Sequence, residues 1–344
     1  MNLPSVASVP QAKTIWLRLD LDLPFTDRLI LDNSRLKKSL PTIQALLGQS
    51  SRLLIVGHRG RPTGPDSNFS LRPVYLELLN LLGNPENLSS VFIDNLADFE
   101  KISTALSQNQ LVFGENLRFL PGELASDESL ARSWADLVDL VVNDAIAAYR
   151  PQASVTLISR FKPLFFGFDF LAQYQQMEKI RNESPRPLGL ILGGAKVDKL
   201  ELLNELLVWA DFVFLSGLLP EKMDSNFQHP KLLSATLAPD RLDISPDSLD
   251  RLLLRLPDLK TLIWAGPLGK IEDQLGQTAS LQLAQSAHSL GLNLISAGGD
   301  TAAFLSQHNF SFPSPPLSGA GALLHFLAKG HLPLTQLFFS SSSA

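Results

Sequence analysis

The sequence predicts an α/β protein of two Rossmann-like, three-layer domains with mostly parallel sheets, joined by a helix and a hinge. Three observations predict it. Short apolar runs alternate with amphipathic segments of helical length, the pattern of parallel strands linked by crossover helices. The alternation stops near Pro163 and resumes after a Ser184-Pro185-Arg186-Pro187 breaker cluster. The length, 344 residues, divides into roughly two domains at about 150 residues each.

In chain order, the runs at 15–21 (IWLRLDL), 53–57 (LLIVG), 91–93, 111–113 and 137–142 (LVDLVV) read as strands. Helical segments at about 34–48, 72–82, 98–107 and 128–135 fill the gaps. Residues 166–182 (FGFDFLAQYQQMEKIRN) read as a connecting helix. Strands then follow at 188–192 (LGLIL), 212–215 (FVFL), 261–264 and 292–296, with helices at about 196–209, 276–290 and after Ser318. The expected boundaries are an N-terminal domain over 1–165, a helix and hinge over 166–184, a C-terminal domain over 185–330 and a tail over 331–344. The serine run at 340–343 is expected to fray.

Hydrophobic residues make up 45% of the chain and charged residues 18%, which excludes a disordered or collagen-like chain. Twenty-nine Lys and Arg against 34 Asp and Glu leave a net charge of −5, so nothing general favours a nucleic acid or an anionic membrane as partner. The absence of cysteine removes disulfides, thiolate zinc sites and a Cys nucleophile, and suits a reducing compartment. With no signal-peptide pattern and no apolar run of about 18 residues, a cytoplasmic location is expected.

Polar residues gather just after the predicted strands, where open α/β sheets place their ligands. The first half carries Asp20 and Asp22, His58 and Arg61 in GHRGRP, Arg118 in GENLRF, and Arg150 in NDAIAAYR, with Arg35 added from a helix. Five converging basic groups repel one another unless an anion neutralises them, and guanidinium geometry suits carboxylate or phosphate. Any one of these residues alone reads as an ordinary surface or loop group; the set reads as an anion site. The second half offers glycines instead: Gly193-Gly194 followed by Lys196, Gly266 to Gly269, Gly298-Gly299-Asp300-Thr301, and Gly319-Ala320-Gly321. A lone pair of these is a plain turn, whereas four clusters with Lys196 and Asp300 suit a polyphosphate and a hard cation. The chain lacks G-x-G-x-x-G, the P-loop, H-E-x-x-H and G-x-S-x-G, which argues against a dinucleotide oxidoreductase, a P-loop enzyme, a zincin and an α/β-hydrolase.

Taken in order, these segments resemble the motifs of the phosphoglycerate kinase family. RLDLDLP (18–24), RLKKSLPTI (35–43), GHRGRP (57–62), GENLRF (114–119) and VNDAIAAYR (142–150) match its first half. GGAKVDK (193–199), AGPLGKIE (265–272), AGGDT (297–301) and SGAGALL (318–324) match its second. The resemblance implies reversible phosphoryl transfer between 1,3-bisphosphoglycerate with ADP and 3-phosphoglycerate with ATP, with Mg, in a monomer. It implies that Asp20, Asp22, Arg35, His58, Arg61, Arg118 and Arg150 bind the phosphoglycerate, with Arg35 nearest the transferring group. Lys196, Lys199, Gly217, Gly266, Glu272, Gly298, Gly299, Asp300 and Thr301 would bind the nucleotide, with Asp300 on the metal, Lys196 also on the moving phosphoryl, and Gly319 and Gly321 donating from the backbone. It also implies closure around 166–182, which would expel water from an acyl phosphate.

The chain departs from the family pattern at several places. Asp22 stands where the pattern has asparagine, and an ionised carboxylate can only accept hydrogen bonds. Tyr149 and Ala147 replace histidine and glycine, Ala320 interrupts the last glycine triplet, and SGLLP (216–220) replaces a glycine-rich adenine segment. One residue fewer separates Lys196 from Lys199, which on an α-helix would rotate the second lysine by about 100°. These departures keep a second expectation alive, a catalytically impaired homologue with a binding or regulatory role.

Overall fold

The computed structural model describes residues 3–11, 14–26, 29–49, 51–84 and 86–338. The serine run at 340–343 lies outside them. The chain forms two compact units: unit 1 comprises Met1–Gln175 with Pro333–Ala344, and unit 2 comprises Gln176–Leu332.

Unit 1 holds a six-stranded sheet built from β1 (Thr14–Leu19), β4 (Arg52–Val56), β5 (Ser90–Ile93), β6 (Leu111–Gly114), β7 (Leu140–Asp144) and β8 (Leu164–Phe166). A small antiparallel hairpin, β2 (Phe25–Thr26) with β3 (Leu29–Ile30), follows β1. The sheet order is β5-β6-β4-β1-β7-β8, parallel throughout, with Ile15 in register with Leu53 on one side and Leu140 on the other. All residues of β7, and all but the first of β1, are buried, because both faces of the sheet are covered. Helices α1 (Ser34–Gly48), α2 (Arg72–Leu81), α3 (Phe99–Gln108), α4 (Pro121–Leu124) and α5 (Glu128–Asp136) link the strands. Asp98 and Asp127 start α3 and α5 by accepting first-turn N–H bonds at 3.0 Å (Lys101) and 2.8 Å (Ser129). Trp16 and Trp134 meet at 5.0 Å between ring centroids in the core.

The connecting helix α6 (Phe168–Glu183) begins beneath a buried carboxylate. Asp144 Oδ1 accepts from Phe170 N at 2.8 Å, its other oxygen has no partner, and burial raises its pKa to about 7. Residues 331–344 read as a tail in sequence. Their described part instead carries the buried Leu332, Leu334 and Thr335, and Phe338 lies 5.8 Å from Phe166.

Unit 2 holds β9 (Leu188–Leu192), β10 (Phe212–Leu215), β11 (Leu232–Ser234), β12 (Thr261–Ala265) and β13 (Asn293–Ala297), parallel, in the order β11-β10-β9-β12-β13. Its helices are α7 (Leu203–Trp209), α8 (Pro246–Leu253), α9 (Thr278–Ser289), α10 (Gly299–Gln307) and α11 (Ala320–Lys329). The helix expected over 196–209 divides in two: Val197–Leu202 is a 3-10 helix, and α7 starts only at Leu203. Among the described residues, no helix is long and apolar enough to cross a membrane.

Candidate functional site

In unit 1 the chain runs outward from β1 to β4, β5 and β6, then crosses back to β7 on the other side of β1. This reversal opens a crevice at the carboxyl ends of β1 and its neighbours. Asp20, His58 and Glu115 sit at the first turns after β1, β4 and β6.

The centre of this crevice is Arg18, which sequence reading left inside a strand. Its side chain is fully buried. Nη2 meets His58 Nδ1 at 2.9 Å, Nε donates to Ser154 Oγ at 3.2 Å, and Nη1 donates to Leu19 O at 2.9 Å. Ser154 is held in turn by Glu123, whose carboxylate accepts from Ser154 N at 2.9 Å and Oγ at 2.5 Å. A lone arginine in a strand covered on both faces was the available signal, since such a charge needs partners. Arg35 reaches the same place from α1, its Nη1 3.2 Å from both oxygens of Asp20 and 3.1 Å from Asp22 O.

Asp22 Oδ1 accepts from Gly60 N at 2.8 Å, and Arg118 donates to Gly60 O, so carboxylate and guanidinium share the loop after β4. Asn116 braces that loop: its amide donates to Arg59 O at 2.7 Å and Phe69 O at 2.9 Å, and its oxygen accepts from Arg118 N at 3.1 Å. Arg59, also passed over in sequence, lies with its guanidinium 3.3 Å from the centroid of the Phe25 ring.

Burial holds His58 well below the usual histidine range, reinforced by the charges of Arg18, Arg118, Arg35 and Arg61. Burial also lowers Arg18 and Arg118, while Asp22 pulls both back up and Asp20 and Glu123 support Arg18. The cationic set therefore carries its own carboxylates. Arg61 is exposed. Arg150 is exposed too, its guanidinium 5.9 Å from the ring of Tyr149.

In unit 2 the chain reverses between β9 and β12, and the glycine loops follow those strands and their neighbours. Their amides are largely engaged inside the protein. Gly193 N donates to Ala265 O at 3.1 Å, Gly194 N to Pro267 O at 3.0 Å, and Gly217 N to Leu268 O at 3.1 Å. Gly266 N donates to Thr301 Oγ1 at 3.2 Å. Glycine is required here by close backbone approach: a Cβ on Gly266, at φ 103°, would lie 2.5 Å from Gly193 O and 2.7 Å from Lys199 Nζ.

Lys199 is buried, with Nζ donating to Gly193 O at 2.6 Å and Ala265 O at 2.8 Å. Burial, with the charge of Lys196 against it, lowers its pKa to about 8. The rotation expected on an α-helix does not describe this pair, because Lys196 is the extended N-cap of the 3-10 helix that carries Lys199. Lys196 itself is exposed, as are Glu272 and Asp300.

Backbone donors remain at two helix starts. Gly298 caps α10 and Gly319 caps α11 without a side-chain hydrogen bond, which leaves their first-turn N–H groups, including those of Gly299 and Gly321, without intrahelical acceptors. A Cβ on Gly298 would lie 3.3 Å from that of Ala320, so the two starts adjoin. Among the described residues no group of three His, Cys, Asp or Glu could hold a metal. Asp300 is an exposed hard-oxygen donor beside these N–H groups, which fits Mg bound through one carboxylate plus substrate phosphates.

The family model for phosphoglycerate kinase matches residues 8–227 and 221–330. The phosphoglycerate kinase of Fervidobacterium nodosum is 28% identical over 94% of this chain and 94% of its own, and that of Thermus thermophilus 29% over 94% and 96%. Among solved structures, phosphoglycerate kinase from Coxiella burnetii superposes with a TM-score of 0.72 at 24% identity, over 99% of this chain and 100% of that one. The enzyme from Pyrococcus horikoshii gives 0.74 at 22%, over 96% and 97%.

Proposed function

The chain belongs to the phosphoglycerate kinase family, and on that premise we propose that it catalyses reversible phosphoryl transfer between 1,3-bisphosphoglycerate with ADP and 3-phosphoglycerate with ATP, a step of glycolysis in the cytoplasm. The observation that carries this reading is the cationic crevice of unit 1, where Arg18, Arg35, Arg61 and Arg118 act together on His58. A small molecule with a carboxylate and a phosphate suits such a place.

In the ATP-forming direction, a β-phosphate oxygen of ADP attacks the acyl phosphorus, the bond from phosphorus to the acyl oxygen breaks, and the carboxylate leaves. The protein has little covalent work to do and acts by alignment and charge stabilisation. His58, Arg61, Arg118 and Arg150 hold the phosphoglycerate. Arg35, anchored by Asp20 at 3.2 Å, stabilises charge on the transferring group. Lys196 follows the moving phosphoryl, and the first-turn N–H groups of α10 and α11 receive nucleotide phosphates. Gly217 borders the adenine, and Glu272 contacts the ribose. Mg, held by Asp300 and the phosphates, would neutralise phosphate charge. Lys199 serves mainly to join the loops after β9 and β12.

A coupled assay of ATP-dependent turnover of 3-phosphoglycerate tests the proposal. Turnover is expected; its absence in the folded protein overturns it. One observation favours a second reading, a binding-only homologue: the Asp22 carboxylate lies among the guanidinium groups an anionic substrate would meet. Calorimetry with binding of 3-phosphoglycerate but none of MgATP would select it.

A further inference from the structure

The contact between Arg18 and His58 fixes a proton position. Guanidinium groups carry only donors and stay protonated in proteins. At 2.9 Å from Arg18 Nη2, His58 Nδ1 must therefore accept. An imidazolium would place two donors face to face, so the ring is neutral and its single proton sits on Nε2. Among the described residues nothing accepts from Nε2. That atom is also absent from the sealed polar atoms without partners, so it reaches solvent through the 9% of the ring's residue that remains exposed.

The guanidinium cannot swing away, because its other two edges are taken. Ser154 and Glu123, both fully buried, hold Nε from behind, and Leu19 O holds Nη1. The remaining charges around the ring are Arg35, Arg61 and Arg118, with Asp20 and Asp22 acting on Arg18 from the loop after β1.

We propose that Arg18 is a positioning residue: the buried chain Glu123–Ser154–Arg18 holds His58 neutral with its proton on Nε2, so that the ring offers one directed hydrogen bond to an oxygen of the bound phosphoglycerate throughout the neutral pH range. This rests on the proposed substrate only for what the Nε2–H contacts. The tautomer belongs to the free protein. Affinity for the anion then comes from fixed guanidinium charge and a fixed donor, not from a histidine that titrates.

The test is a two-bond 1H–15N correlation spectrum of the imidazoles without ligand, with His58 assigned by the loss of its signals in His58→Asn. The expected result is an unprotonated Nδ1 and a protonated Nε2, unchanged between about pH 5 and 8. A proton on Nδ1, or a titration midpoint near the ordinary value of about 6.5, overturns the proposal. In Arg18→Met the ring is expected to titrate, and the KM for 3-phosphoglycerate to rise about tenfold and become pH-dependent, with kcat and the KM for MgATP much less affected. Should that chain not fold, Ser154→Ala, which removes the Nε acceptor together with the hydroxyl donated to Glu123, is expected to shift the His58 signals the same way by less. Unchanged signals there would remove Ser154 and Glu123 from the chain of contacts. The predicted tautomer combined with no binding of 3-phosphoglycerate would instead overturn the substrate reading and leave the Arg18 contact standing.

Discussion

Unit 1 builds its candidate site from side chains, whereas unit 2 builds its own from backbone. Around His58, guanidinium groups project from a sheet edge and are balanced by Asp20, Asp22 and Glu123. Around Gly193 and Gly266 the loops touch main chain to main chain, and the buried ammonium of Lys199 is spent on two of their carbonyls. Exchanging a side chain in unit 1 should thus alter chemistry more than folding, and exchanging a glycine in unit 2 should alter folding first.

The sharpest way to break this contrast is Arg35→Ala. With a partly exposed ion pair to Asp20, the loss of stability should stay below about 1 kcal/mol, while kcat falls about a hundredfold to a thousandfold. Steady-state kinetics beside a urea melt separates the two, and unchanged turnover removes Arg35 from the site.

Gly266→Ala is the counterpart in unit 2. A methyl at φ 103° and 2.5 Å from Gly193 O should cost about 3 kcal/mol of stability. A Tm equal to that of the parent chain would mean that the loops yield easily.

A smaller effect lies in the alkaline range. Lys199 has a folded-state pKa near 8 against 10.5 for an ordinary lysine, so at intermediate pH the unfolded chain binds the extra proton. Stability attributable to this group should rise by about 3 kcal/mol between pH 8 and pH 10.5. Denaturant melts of the parent and of Lys199→Met across that range should differ in slope; parallel curves would show that the ammonium is not confined as described.

The mildest change is Asp22→Asn. The amide oxygen can keep the bond from Gly60 N while the negative charge goes, so 3-phosphoglycerate should bind about fivefold tighter. Weaker binding by calorimetry would mean that the guanidinium groups need that carboxylate to stay in place.

Legibility in the sequence followed burial. β9 and β12 are covered on both faces and show as apolar runs, so their positions could be read directly, whereas β7, expected at 137–142, starts later and ends on the buried Asn143 and Asp144. β8 follows Pro163 and has three residues, and β11 is a half-buried edge strand of three, too short for a period to register. α10 escaped notice because Gly298 to Thr301 reads as a loop and is in fact a helix start. The cation cluster was legible because strand ends in parallel sheets share one edge. Arg18 was legible only as a charge in need of partners, since an apolar strand does not say which, and these come from 58 and 154, far along the chain. The placement of Lys199 relative to Lys196 depended on a choice between two helix types that the spacing alone does not make.

The return of residues 333–338 to unit 1 has a bearing on biosynthesis. On the ribosome, the segment around Phe166 must wait for residues 333–338, since Phe338 packs against Phe166. Unit 2, continuous from Gln176 to Leu332, has all of its own sequence before unit 1 does. The order of completion is therefore the reverse of the order of translation, and a nonsense codon just before Pro333 would injure the amino-terminal half of the molecule.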